Sequence, residues 1–203
     1  MEINKEYYFD TKEHIKKSKS NKKQIILTNT SCTFDEYITK IKTRYNGKYT
    51  NIPCFFISND GVIYQHYRVE AYNDLMSDYG VEKNSITISL ENVGWLHKDT
   101  LTGNVVDWKG STYSGEFIEK SWRGKKLWSN YNDIQYTKLV ELIDYLCLTH
   151  GVNREFIGTN IEIENPKKYK GILTRSNYSK NYYDLSPSFD FKKVSELINN
   201  SYE

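Results

Sequence analysis

The side chains able to act as nucleophile, base or metal ligand are few and scattered. There are four histidines, His14, His66, His97 and His150, and three cysteines, Cys32, Cys54 and Cys147. No two histidines stand at the i, i+4 spacing that puts two imidazoles on one helix face, and no cysteines have metal-site spacing. One arrangement stays open: His66 faces Cys54 across a predicted hairpin, and a thiol beside a base is an activated nucleophile. Solvated or hydrogen-bonded histidines explain the same residues without chemistry. Three thiols leave one unpaired in any case, so they read as reduced and partly buried. The tyrosines Tyr178, Tyr182 and Tyr183 either line a glycan or peptide groove or pack an irregular segment.

The elements that must position these residues follow from periodicity. Gln24 to Thr28 is a short apolar run, read as a buried strand. Thr33 with Glu36 is a capping box, followed by Phe34, Tyr37, Ile38, Ile41 and Tyr45 at helical spacing, with Gly47 closing the helix. Residues 53–58 and 62–67 are strands joined through Asn59-Asp60-Gly61, a hairpin signal. Residues 85–90 alternate Ile86, Ile88 and Leu90 on one face of another strand. Asn132 with Gln135 opens a helix over about 133–149, whose stripe runs from Tyr136 to Cys147 before Gly151. Residues 155–158 read as a short strand, 161–188 as irregular, and Val194, Leu197 and Ile198 as a last helix. Residues 92–131 form an irregular insert holding Trp95, Trp108, Trp122 and Trp128, long for a loop and so expected to contain short elements, packed down by those rings or offering them to a partner. The expected class is α/β, a central mixed sheet flanked by helices, with an arm over 1–23 and one domain over 24–203.

Composition narrows the function classes. The net charge of +2 is too small to require nucleic acid as a partner. The basic run Lys12 to Lys23 is interrupted by Glu13 and His14 and reads as a solvated face. With 18 Tyr, 8 Phe and 4 Trp, the 203 residues hold enough apolar area for a sizeable core. No secretory apolar region and no long apolar span is found, so the protein is expected to be made in the cytoplasm, with no membrane partner.

Several stretches, in this order, resemble the type-2 N-acetylmuramoyl-L-alanine amidase family, which includes peptidoglycan recognition proteins and phage endolysins. They are Ile25-Ile26-Leu27-Thr28-Asn29-Thr30, the hairpin Cys54 to Gln65, and Asn84 to Asn92. Glu91-Asn92-Val93-Gly94-Trp95-Leu96, Trp122-Arg123, Arg175-Ser176-Asn177-Tyr178 and Asp184 to Phe189 look like amidases of large tailed phages. The resemblance spans about residues 20–200 and implies the amidase-2 fold.

The resemblance also implies where zinc would sit, and there the sequence departs from the pattern. Such an amidase uses zinc to polarise an amide carbonyl and activate water, held by three protein donors. The family's first histidine falls at Thr28, with Asn29 after it, and its second at Thr159, before Asn160. The third ligand falls at Ser186, or at Asp184 in a shifted register. The family's Tyr-His pair is Pro53-Cys54, and the histidine of its A-x-H segment falls near Asn73 or Asp74. Zinc is therefore expected to be lost and no catalytic residue is assigned. Asn29, Cys54, Asn73, Asn160 and Tyr178 remain as candidate groove residues.

The leading expectation is a catalytically inactive amidase-like protein. Its partners would be peptidoglycan fragments, or proteins of a phage tail or contractile injection machine into whose particle it is incorporated. The alternatives are an active amidase with a non-standard site and a peptidoglycan sensor.

Overall fold

In chain order the strands are β1 (Lys16–Lys17), β2 (Gln24–Asn29), β3 (Phe55–Ile57), β4 (Ile63–Gln65), β5 (Ala71–Tyr72), β6 (Ser85–Leu90), β7 (Trp95–Lys98), β8 (Val105–Asp107), β9 (Phe117–Trp122), β10 (Lys125–Ser129) and β11 (Gly171–Thr174). The helices are α1 (Phe34–Thr43), α2 (Tyr79–Asn84), α3 (Asp133–His150) and α4 (Phe191–Asn200). This is a computed structural model that describes residues 1–17 and 21–200. Residues 18–20, in the segment read as an arm and in its basic run, and residues 201–203 lie outside the described residues.

Five strands make the central sheet in the order β11-β2-β6-β3-β4. All neighbours pair in parallel except the β3–β4 hairpin. The sheet is therefore mixed, as expected. Every residue of β2 and β6 is buried, which suits parallel strands covered on both faces. On one face Ile25, Leu27, Ile86 and Ile88 pack against Leu139, Leu142, Ile143 and Leu146 of α3 and Val194 and Ile198 of α4. Fully burying each aliphatic side chain contributes roughly 2 kcal/mol. On the other face Phe56 packs against Tyr37, Ile38 and Ile41 of α1. Ile26 packs there against Val81 of α2, with Met76 and Leu173.

The helix starts are built as the sequence implies. Thr33 and Glu36 form a capping box on α1, and Asn132 and Gln135 form one on α3. The buried Glu91 carboxylate at the end of β6 also accepts from the backbone N–H of Phe34, 2.8 Å away, where the α1 dipole favours negative charge. Gln135 Nε2 donates to the Glu91 carbonyl at 2.9 Å, tying the start of α3 to the same strand end.

The structure differs from expectation in three places. The hairpin strands stop at 55–57 and 63–65, shorter than 53–58 and 62–67. α1 ends at Thr43, because Tyr45 and Asn46 take positive φ (51° and 56°) and leave the helical path. Residues 155–158 make only an isolated bridge from Phe156 to Ile172, and the real edge strand is β11, inside the stretch read as irregular. β11 is four residues long and opens on Gly171 at φ 146°, where a Cβ would clash with the Glu155 carbonyl. So short a run, with no alternation, carries no strand signal. The short elements expected in the insert are strands, and they join into an antiparallel sheet of their own, ordered β8-β7-β10-β9. Its strands are half exposed and rich in charge, as in Phe117–Trp122, so hydrophobic alternation is faint.

Asn92 holds both ends of the insert. Its amide donates to the Ser129 and Asn130 carbonyls (3.2 and 3.0 Å), while its oxygen accepts from Gly94 N and Ser129 Oγ. The residues read as an arm lie along the domain. Asn4 bonds Ile63 and Gln65 beside β4, Ile15 is buried, and β1 pairs with β5.

Candidate functional site

The site forms where the parallel strands end. Ligands of open parallel sheets bind outside the carboxyl ends of the strands. Here a cleft of about 210 Å³ opens at that edge, lined by Asn29, Thr30 and Ser31 after β2, Ser89 of β6, and Arg175 just past β11. Tyr37 and Lys40 of α1 close one side, with Tyr49, Asn51, Pro53 and Leu75. None of these lining residues is acidic.

Thr28 pairs in register with Ser89, so both side chains lie on the face carrying the cleft. Thr28 is 1% exposed and its hydroxyl has no hydrogen-bond partner among the described residues. Asn29 points the other way. Its amide nitrogen reaches the Tyr131 hydroxyl at 3.0 Å, and its backbone N–H donates to Asp184 Oδ2 at 3.3 Å.

Asp184 is 2% exposed and lies 3.0 Å from Nε of Arg175. The guanidinium stacks on Tyr182, its central carbon 4.7 Å from the ring centroid. The turn 175–177 organises the rest. Ser176 N donates to the Asp184 carbonyl at 2.9 Å. Asn177 Nδ2 donates to the Thr159 and Ile161 carbonyls (2.9 and 2.7 Å), and Asn160 Nδ2 donates to the Leu185 carbonyl at 3.0 Å. The segments holding Thr28-Asn29, Thr159-Asn160 and Asp184 are thus stitched together. Among the described residues the Thr159 hydroxyl accepts only from Ile161 N, at 3.3 Å. Ser186 is fully buried and its hydroxyl shares a hydrogen bond with Ser188 at 2.7 Å.

Other candidate residues stand elsewhere. Cys54 is buried beneath the hairpin and its thiol donates to the Tyr67 carbonyl at 3.3 Å. Burial pushes that thiol far above its usual range. His66 bonds the Tyr7 carbonyl through Nδ1 at 2.9 Å, so the two side chains form no dyad with each other. Asn73 is buried and bonds the Ile52 carbonyl and Leu75 N. Tyr178 donates to Gln24 Oε1 at 2.6 Å and packs with the Ile26 cluster, away from the cleft lining. The three cysteines are free and buried. Among the described residues no three His, Cys, Asp or Glu side chains gather as a metal site.

Sequence reasoning did not single out Arg175, Lys40, Tyr37, Tyr131 or Asn177. The stretch Arg175-Ser176-Asn177-Tyr178 carried the signal for two of them, as part of the family resemblance. Arg123, of the Trp122-Arg123 pair in the family resemblance, is another. It sits at the tip of the β9–β10 hairpin and donates to the carbonyls of Asn160, Ser176, Ser179 and Tyr182. A shallower hollow of about 450 Å³ lies on the insert sheet around Trp95, His97 and Lys125, without the strand-end residues.

Solved structures share this fold. The chain superposes on the N-acetylmuramoyl-L-alanine amidase LysC from Clostridium intestinale with a TM-score of 0.55 at 14% identity, over 98% of each chain. The amidase AmiD from E. coli, in complex with anhydro-N-acetylmuramic acid-L-Ala-D-gamma-Glu-L-Lys, gives 0.57 at 14% identity, over 96% of this chain and 65% of that one. The PGRP-LCa and PGRP-LCx ectodomain complex with tracheal cytotoxin gives 0.56 at 12% identity, over 97% and 96%. The protein therefore has the α/β fold of type-2 amidases and peptidoglycan recognition proteins. No family model and no curated protein matches the sequence.

Proposed function

We infer that the protein binds peptidoglycan fragments without hydrolysing them, as an accessory component of a phage tail or a related injection particle. The observation that carries this reading is the pairing of Arg175 with Asp184. Of the positions that would hold zinc, two are threonines, and the buried carboxylate is already taken by a guanidinium 3.0 Å away. Neutral hydroxyls are poor zinc donors, and a dication placed beside Arg175 would meet like charge. The donor set does not fit zinc. The likeness to AmiD in complex with anhydro-N-acetylmuramic acid-L-Ala-D-gamma-Glu-L-Lys and to the PGRP-LC complex with tracheal cytotoxin supports the binding half of the reading. The particle half draws on the resemblance to tailed-phage amidases and on the likeness to the Ph2119 bacteriophage endolysin (TM-score 0.52, 12% identity). Among the described residues no helix is long and apolar enough to cross a membrane.

The test is twofold. Purified protein mixed with peptidoglycan should release no peptide, with or without added zinc, while calorimetry should detect binding of anhydro-N-acetylmuramic acid-L-Ala-D-γ-Glu-L-Lys. Cleavage that a chelator abolishes would restore the enzyme reading. Absence of the protein from purified particles of the source phage would remove the particle half.

A further inference from the structure

We propose that the cleft at the ends of β2 and β6 is a carboxylate receptor, with Lys40, Arg175 and the Tyr37 hydroxyl as its donors. It rests on the muropeptide reading above only for the ligand's wider identity.

Three observations converge. First, the cleft is lined by two cations and no acid. Lys40 makes no ion pair among the described residues, and only Nε of Arg175 is engaged by Asp184. The terminal nitrogens of Arg175 take no hydrogen bond among the described residues, and a guanidinium edge matches the two oxygens of a carboxylate. Asp184 balances the charge of Arg175, so Lys40 supplies the net positive potential. Second, Tyr37 lines the cleft and is buried, yet its hydroxyl has no partner among the described residues. Burial pushes that phenol well above its usual range, so it remains a donor. The Thr28 hydroxyl, on the same sheet face, is likewise unpartnered. A buried hydroxyl left without a partner costs about 1–3 kcal/mol, so that of Tyr37, a lining residue, calls for a ligand oxygen. Third, the carboxyl ends of parallel strands are where such folds take ligands. The cation that met the ligand in a zinc enzyme is replaced here by organic cations, which suits an anionic group rather than a neutral amide carbonyl.

The test compares N-acetylmuramoyl-L-alanyl-D-glutamate with its diamide by calorimetry, and uses glutarate alone as a minimal probe in thermal unfolding. The free acid should bind about ten- to a hundredfold more tightly than the diamide, the worth of a charge-assisted hydrogen bond. Glutarate should raise the Tm. Arg175→Gln would leave Asp184 buried and unpaired and can simply unfold, so Lys40→Gln and Tyr37→Phe are the informative variants. Both should fold, Tyr37→Phe at least as stably as the parent, and both should lose the preference for the acid. Equal binding of acid and diamide would overturn the receptor and leave the muropeptide reading standing. Glutarate protection without muropeptide binding would uphold the receptor and remove that reading. No glutarate response, or variants that respond like the parent, would sink the receptor.

Discussion

The indole N–H of Trp108 donates to the backbone carbonyl of Ser31 at 2.8 Å, so the insert sheet is fastened to the rim of the strand-end cleft. Lys109 beside it pairs with Glu36 in the first turn of α1. The four tryptophans of the insert therefore have different jobs. Trp128 is fully buried and Trp122 packs on it, whereas Trp108 is 45% exposed. Trp128→Ala should destabilise the protein by about 3–5 kcal/mol, the range for emptying a large aromatic site. Trp108→Ala should cost about 1 kcal/mol, one hydrogen bond, and leave a folded protein. Urea denaturation of both variants checks this, and a large loss from Trp108→Ala would show that the rim contact is structural core.

Arg123 is the second tie between insert and site. It stands at φ 48° with Gly124 at φ 76°, the two positive dihedrals of a tight hairpin turn. Its guanidinium bonds four carbonyls of the segments carrying Asn160 and Asp184. Arg123→Lys should therefore not be conservative, because an ammonium cannot span that fork. The expected loss is about 2–3 kcal/mol. Hydrogen exchange should quicken in residues 159–184 before it does in α3. Uniform exchange across the chain would rule out a local clamp.

The Cys54 thiol should be inert. It is buried and its ionisation is strongly disfavoured, while reactive cysteines are exposed thiolates. Native protein should not be alkylated by iodoacetamide at Cys54 at mildly alkaline pH, and Cys54→Ala should bind muropeptide as the parent does. Rapid native-state labelling of Cys54 would reopen the nucleophile reading.

His66 should set an acid limb of stability. Burial lowers its pKa from 6.5 to about 4, against a smaller opposing effect of the Tyr7 carbonyl. Between those values the unfolded chain binds more protons than the folded one, so stability falls as pH drops through that window. The full effect is about 3 kcal/mol. Glu82 works in the opposite direction: burial raises it from 4.5 to about 8, so its contribution declines as pH rises across that span. The difference between parent and His66→Phe isolates the imidazole, whose neighbours are the rings of Phe9, Tyr37 and Phe56. The variant should lose about one proton of pH dependence between pH 4 and 6.5. An unchanged slope would mean that His66 is not buried as a neutral ring.

The long, locally coded elements were legible in the chain. α3 announces itself through its capping box and the stripe from Tyr136 to Cys147, and β6 through Ile86, Ile88 and Leu90. Those patterns, with β2 and the Asp60-Gly61 hairpin, led to the mixed sheet and, through resemblance, to the amidase-type fold. The insert sheet and β11 were not legible. Half-exposed or four-residue strands carry little alternation, and β11 is defined by its partner β2 more than by its own residues.

By itself the sequence determined which side chains stand where the family resemblance would put metal ligands: Thr28, Thr159, and Asp184 or Ser186, with no imidazole among them. Only the tertiary structure decided what they became. It buried Asp184 against Arg175, left the hydroxyls of Thr28 and Tyr37 without partners among the described residues, and brought Arg123 from a distant hairpin onto the Asn160 carbonyl. The physical reason is that parallel pairing and loop docking join residues remote in sequence. Whether a polar atom meets a partner depends on which backbone is packed beside it, and no local pattern in the chain encodes that neighbour.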